Sequence, residues 1–335
     1  MTLLVLAAAV VVSLLMTGAL RRYALSRSLM DVPNARSSHS VPTPRGGGVA
    51  IVASFIVALP FLALLGAISE ALCWALLGAG ISVAVIGFLD DHGHVAARWR
   101  LLAHFGAAIW ALLIIGGLPP IELFGAQVQL GVLGYVLAAL YLVWLLNLYN
   151  FMDGIDGIAS VEAITACVGA SLIYWFTGHG ELVTAPLLLA VAVAGFLYWN
   201  FPPARIFMGD AGSGFLGMCL GVLSLQAAWT ESALLWSWLI LLGVFIADAT
   251  WTLFRRLLRG DKVYEAHRSH AYQFASRRFG RHLPVTLAIG AINLLWLLPL
   301  ASLVGLGVLD GGVGLAIAYL PLLGLAIKFR AGERE

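Results

Sequence analysis

Residues 144–160 read WLLNLYNFMDGIDGIAS. The apolar run GVLGYVLAALYLVWLL at 131–146 leads into them, and a second run, from Ile158 to Phe176, follows at once. Runs of this kind are membrane spans in a chain this hydrophobic, so two amides and two carboxylates sit where one span hands over to the next. Asn147, Asn150 and Asp153 recur every three residues, roughly one face of a helical turn. Gly154 and Gly157 loosen the helix there and let backbone approach a ligand. Clustered acid and amide oxygens at a membrane boundary suit a hard cation such as Mg²⁺. The plainer alternative is a polar connector that caps two helix ends.

Working outward, the chain has 335 residues, of which 61% are hydrophobic and 11% charged, with mean hydropathy +0.96. Soluble domains carry about 25% charged residues. The apolar runs are continuous rather than alternating, which excludes a β-barrel. The expected fold is an all-α polytopic integral membrane protein, one transmembrane catalytic domain over 1–335. About eleven spans are predicted, at 1–20, 47–67, 71–89, 100–117, 131–149, 157–177, 183–200, 214–229, 234–254, 284–305 and 312–328. Residues 1–20 lack a basic start and a small-residue cleavage site, so they read as a retained first span. Cys73, Cys167 and Cys219 lie in apolar runs without metal-ligand spacing and read as small core residues. No internal repeat of a transporter kind is visible.

Orientation follows from the basic residues. With residue 1 outside and the spans alternating, all 19 Lys and Arg fall on the inner side. They lie in loops at about 21–46, 90–99, 201–213 and 255–283, at the start of the next span (Arg100) and in the C-terminal tail. The turn at 150–157 shares that side, and the outer loops carry only the acids Glu70, Glu122, Glu181, Glu231 and Asp310. The longest outer loop, 118–130, is expected to form a small hairpin. The chemistry is therefore expected on the cytoplasmic face.

Four further inner clusters carry polar groups. The first, SLMDVPNARSSHSVPTPRGGGVA at 28–50, offers Arg36, His39, Arg45 and the amides of Gly46, Gly47 and Gly48 to an anion. The second, FLDDHGHVAARWR at 88–100, ends a span with the adjacent acids Asp90 and Asp91, one of them suited to proton transfer; His92 and His94 read as solvated. In the third, YWNFPPARIFMGDAGSGFLG at 198–217, Asp210 sits on a glycine-rich turn before a helix, and Phe207 can present a ring to a base. The fourth, HRSHAYQ at 267–273, sets His267, Arg268 and His270 as a cationic patch for a phosphate. Each alone has a bland reading: a positive-inside loop, a solvated end, a lipid-facing aromatic or a membrane-surface patch. Asp248 lies within a span and is a candidate partner for a nearby arginine.

Taken together and in order, DVPNARSSHSVPTPRGGG, FLDD, NLYNFMDGIDGIAS, NFPPARIFMGDAGS and HRSH resemble the polyprenyl-phosphate N-acetylhexosamine-1-phosphate transferases, across roughly residues 25–285. The resemblance implies transfer of a sugar 1-phosphate from a UDP-N-acetylhexosamine to undecaprenyl phosphate. The products are undecaprenyl-diphosphate sugar and UMP. It implies Mg²⁺, or Mn²⁺ in its place, with Asn150 and Asp210 at the metal-ligand positions and Phe207 stacked on uracil. Asp90 and Asp91 match the acidic pair near the lipid phosphate, and Asp153 and Asp156 match further acids of the site. His267, Arg268 and His270 fall in the loop that contacts sugar and diphosphate, and Asn200 matches an asparagine of the pattern. His39 and Arg45 join the substrate-binding set. The implied setting is the bacterial inner membrane, with the bilayer and a second copy of the chain as partners and no nucleic acid. The last loop departs from the acid-containing version of the peptidoglycan branch and looks closer to the enzymes that initiate O-antigen. A muramoyl-pentapeptide transferase, a transporter of lipid-linked or anionic substrates and a structural scaffold are the alternatives.

Overall fold

The computed structural model describes residues 1–33, 37–93, 95–123, 125–261 and 267–334; Arg36, His94 and Lys262 lie outside them. The described chain is helical throughout, with two short antiparallel strand pairs. The first part comprises α1 (Thr2–Ser26), α2 (Gly48–Leu64), α3 (Glu70–His92), α4 (Ala97–Ile115), α5 (Gly131–Met152), α6 (Ile158–Thr177), α7 (Thr184–Asn200) and α8 (Asp210–Thr230). Then come α9 (Ser232–Leu241), α10 (Gly243–Leu258), α11 (Ala271–Phe279), α12 (Leu283–Ile292), α13 (Leu298–Gly305) and α14 (Gly311–Lys328). A π-helical turn, Asn293–Leu297, joins α12 to α13. Strands β1 (Met30–Asp31) and β2 (Thr43–Pro44) pair near the first inner loop. Strands β3 (Ile121–Leu123) and β4 (Ala126–Val128) pair in the outer loop expected to form a hairpin.

Each of the eleven expected spans is helical. Among the described residues, nine helices are individually long and apolar enough to cross a membrane, counting Leu283–Gly305 as one. The 17-residue α2 is a shorter apolar helix. The span expected unbroken at 234–254 is instead a pair, α9 and α10, bent by 72°. The break falls at Leu242–Gly243, where the Tyr319 ring would lie 3.1 Å from any Cβ added to Gly243. Beyond it α10 turns Asp248, Thr252 and Arg256, four residues apart, into the protein. Such a polar stripe is costly against lipid, and burial against protein partners resolves it.

Helix α8 is the axis of the bundle. It contacts α2, α3, α4, α5, α6, α7 and α9, and 94% of its apolar window is buried, against 22% for α4. Small residues let neighbours approach closely, as dispersion-driven packing in lipid requires. A Cβ on Gly212 would stand 2.7 Å from the Gly48 Cα of α2, and one on Gly217 would stand 2.7 Å from the Leu146 Cα of α5. A Cβ on Gly87 of α3 would stand 2.6 Å from the Ala211 nitrogen. These contacts seat the α8 N-terminus between the ends of α3 and α5, where the polar clusters converge. The three cysteines are free and buried, as expected.

Candidate active site

At that end of the bundle the chain encloses a cavity of about 230 Å³. Nine expected residues line it: His39, Arg45, Asp91, Asn150, Asp153, Asp156, Asn200, Phe207 and Asp210. They come from the first inner loop, the ends of α3, α5 and α7, the α5–α6 turn, the α7–α8 loop and the start of α8.

The two neighbouring acids have different partners. The Asp91 carboxylate accepts the backbone N–H groups of Asp210 at 3.2 Å and Ala211 at 3.3 Å. It thus satisfies the exposed amides at the α8 N-terminus, with a favourable helix dipole. The chain can bring it this close because Gly209, at φ 78°, has no Cβ; one added there would lie 2.6 Å from Asp91 Oδ2. The Arg45 guanidinium donates to the Asp91 carbonyl. Asp90 turns the other way: Oδ1 accepts the Val95 N–H at 2.9 Å and Oδ2 pairs with Arg100. Arg100 also lies 3.7 Å from Asp210. Nothing local in the sequence distinguishes Arg100 from the other inner basic residues.

Asn150 ends the inward face of α5. Its amide nitrogen donates to Ser213 Oγ at 2.9 Å and approaches the Asp210 carboxylate. Asn147, expected beside it, donates to the Val143 carbonyl at 2.7 Å and faces a second cavity of about 220 Å³ with Arg100 and His104. Burial, followed by the charges of Asp210, Asp91 and Asp156, pushes the Asp153 carboxyl up to about 7. Asn150 and Asp210 therefore bring hard oxygens from two helices to one space that already holds excess negative charge. That donor set fits a hard divalent cation. No group of three or more His, Cys, Asp or Glu disposed around a metal exists among the described residues. A magnesium-type site, with one or two protein carboxylates and the remaining oxygens from substrate and water, does not require one.

Asp156 and Asn200 bind protein groups. Asp156 Oδ2 accepts the Ala204 N–H at 3.0 Å, and Oδ1 lies 3.0 Å from His282 Nδ1. Asn200 accepts the Gly157 N–H and donates to the Ile206 carbonyl, both at 3.0 Å. Together they tie the α5–α6 turn to the 201–209 loop. Phe207 is set by its own backbone: its N–H donates to the Pro44 carbonyl at 2.8 Å. His39 meets its ring edge-on, with centroids 4.8 Å apart.

Three expectations change. The amides of Gly47 and Gly48, expected to face an anion, donate instead to the carbonyls of Phe207 and Met208, each at 2.9 Å. The glycines let two chains lie side by side; a Cβ on Gly47 would reach 2.6 Å from the Phe196 ring. Gly154 lines the cavity but also makes room for Tyr272, whose hydroxyl would lie 2.1 Å from an added Cβ. The His267–Arg268–His270 patch does not line the cavity. His270 begins α11 and pairs with Asp248 at 3.3 Å, while its N–H donates to Gln273 Oε1 at 3.2 Å. Burial, with His270 and Arg256 adding to it, pulls His267 down to about 3, so it carries no charge near neutral pH. The carbonyl of Arg268 accepts from Arg277 at 3.2 Å. Through this turn α11 delivers Gln273 to the cavity wall.

Asp31, Ser37, Ser38, Gln273 and His282 are among the polar cavity residues that the sequence left unmarked. His282 stands one residue before α12 and looks like any basic-loop histidine. Burial pulls its imidazole down, but the hydrogen bond and charge of Asp156, with the Ser38 carbonyl, outweigh that and leave it above its usual range.

Comparison with known proteins points the same way. Residues 73–228 match the family model of glycosyl transferase family 4. The chain is 30% identical over 266 residues to a probable undecaprenyl-phosphate N-acetylglucosaminyl 1-phosphate transferase of Bacillus subtilis, covering 77% of this chain and 73% of that one. It is 28% identical to a decaprenyl-phosphate N-acetylglucosaminephosphotransferase of Mycolicibacterium smegmatis, over 78% of this chain and 73% of that one. It is 25% identical to an undecaprenyl-phosphate alpha-N-acetylglucosaminyl 1-phosphate transferase of Thermotoga maritima, over 81% of each.

Proposed function

Since the chain belongs to the polyprenyl-phosphate N-acetylhexosamine-1-phosphate transferases of glycosyl transferase family 4, a family of membrane phosphoglycosyltransferases, we propose that it moves N-acetylglucosamine 1-phosphate from UDP-N-acetylglucosamine to undecaprenyl phosphate. UMP is released, and the lipid-linked sugar starts an O-antigen or a related cell-envelope polysaccharide. All three relatives are named for N-acetylglucosamine, which favours that sugar over other N-acetylhexosamines. One observation carries the reading: Asn150, Asp153, Phe207 and Asp210, from two segments distant in sequence, share one cavity. The cavity lies at the end of the bundle that holds the basic residues, which favours the cytoplasmic face of a bacterial inner membrane.

When bound between Asn150 and Asp210, Mg²⁺ or Mn²⁺ supplies neutralisation of the donor diphosphate. The protein's own groups do the positioning. The Phe207 ring offers a face for the uracil. Arg100 sets a cation beside Asp210, on the side of the second cavity, where an acceptor phosphate can approach the β-phosphorus. The ionised lipid phosphate is already a nucleophile, so direct attack requires only loss of its last proton. Asp91 is committed to the α8 amides and Asp90 to Arg100 and the Val95 N–H, so that proton falls to Asp153, which lines the cavity. Apolar helices hold the lipid tail alongside, which makes the encounter effectively intramolecular. Phosphoenzyme trapped on Asp90 or Asp91 would replace direct attack by a covalent route.

The test is UMP release by purified protein given undecaprenyl phosphate, a divalent cation and each of a panel of UDP-sugars. UMP formed with UDP-N-acetylglucosamine only when the lipid is present supports the proposal. Release with no UDP-N-acetylhexosamine refutes it. Phe207→Ala is expected to weaken inhibition by uridine analogues about tenfold, since base–aromatic stacking contributes about 1–3 kcal/mol. An unchanged inhibition constant would remove the stacking role.

A further inference from the structure

His282 is anchored on both ring nitrogens. Nε2 lies 3.0 Å from the Ser38 carbonyl, which only accepts, so that nitrogen bears a hydrogen. Nδ1 lies 3.0 Å from Asp156 Oδ1 and 3.3 Å from the Asp156 backbone nitrogen, so the ring meets that residue at both its carboxylate and its N–H. Asp156 in turn holds the Ala204 N–H through its other oxygen, and its carbonyl accepts from Thr286 Oγ1 at 2.7 Å. One imidazole therefore links three segments distant in sequence: the 37–40 turn, the α5–α6 turn and the start of α12. The Ser38 end of this link carries the neighbouring His39, whose ring abuts Phe207.

Ser38, His39, Asp156, Phe207 and His282 line the 230 Å³ cavity and also an outer cavity of about 530 Å³. They form the wall between the two. We infer that His282 is a positioning residue for the donor: it straps the Ser38–His39 turn against Phe207 and so holds in place the ring on which the nucleobase stacks. A flat ring with a polar nitrogen toward each partner suits this task, because it holds the two at a set separation with little side-chain freedom. The strap touches no reacting atom. Its loss frees the Ser38–His39 turn and weakens binding of the nucleotide, while Asp90, Asp91, Asp210, Arg100 and the acceptor side stay in place.

This inference rests on the proposal that a uridine nucleotide stacks on Phe207, and the experiment separates the two. UMP binding to the purified full-length protein is measured by calorimetry, and KM for UDP-N-acetylglucosamine and for undecaprenyl phosphate by UMP release. His282→Ala is expected to weaken UMP binding and raise the donor KM about tenfold, the effect of losing one charge-assisted hydrogen bond. The acceptor KM and kcat are expected to stay within about threefold. His282→Gln, which keeps one donor for the Ser38 carbonyl, is expected to recover part of the loss, and it supplies the test if the alanine variant fails to fold. Combining His282→Ala with Asp156→Asn is expected to cost less than the sum of the two changes. Wild-type protein that binds neither UMP nor UDP-N-acetylglucosamine would defeat the donor reading itself. Wild-type binding with unaltered affinity in both His282 variants would defeat the strap, as would a fall in kcat with the donor KM unmoved.

Discussion

Asp210→Asn is expected to lower turnover by at least about a hundredfold while leaving the protein folded and monodisperse. The substitution keeps the side chain's shape and the contact with Asn150. It also leaves untouched the Asp210 backbone N–H, which Asp91 accepts at 3.2 Å. What it removes is a negative charge that, with the Asn150 oxygen, would hold a divalent cation. The defect should appear in kcat and in the concentration of Mg²⁺ needed for half-maximal rate. UMP release titrated with Mg²⁺ is the measurement, and a rate within a fewfold of wild type at ordinary Mg²⁺ would show that the site has been misplaced.

Asp90→Ala is expected to cost as much by a different route. Arg100 pairs with Asp90 and stands 3.7 Å from Asp210. Without Asp90 the guanidinium retains Asp210 as its carboxylate neighbour. It then competes with the divalent cation for that carboxylate, and the acceptor side loses an acid. A fall of at least about a hundredfold follows, together with a rise in the Mg²⁺ requirement. The double variant Asp90→Ala/Arg100→Ala should need less Mg²⁺ than Asp90→Ala alone, because the competitor is gone. If the Mg²⁺ requirement of Asp90→Ala matches wild type, Arg100 does not couple the two acids.

The spans were legible because a run of about 20 apolar residues has few other uses, and the charge split then orders them. The clusters at Asp90–Asp91, Asn150–Asp156 and Phe207–Asp210 were legible because acids at span ends are costly without a task. What the residues touch was harder to read. The HRSH segment has the composition of an anion site, but the same side chains serve as a helix start when an acid such as Asp248 waits on another helix. Three glycines in a row suit a phosphate and equally suit two chains lying side by side, and Gly47 and Gly48 do the second. Arg100 and His282 carry no local signal, since their importance comes from partners 10 and up to 244 positions away. The 72° break at α9–α10 was hidden for a related reason: Gly243 matters through Tyr319, far along the chain.

Helix α8 bears Asp210 at its tip and is enclosed by other helices along nearly its whole length. A peripheral helix such as α4 can shift into lipid when a residue on it grows; α8 has nowhere to move. Extra bulk at Gly221, half a membrane away from the carboxylate, would push the shaft lengthwise or sideways and carry the acid with it. The half of the bundle away from the cavity thereby acts as the bedplate that keeps the cavity residues in register.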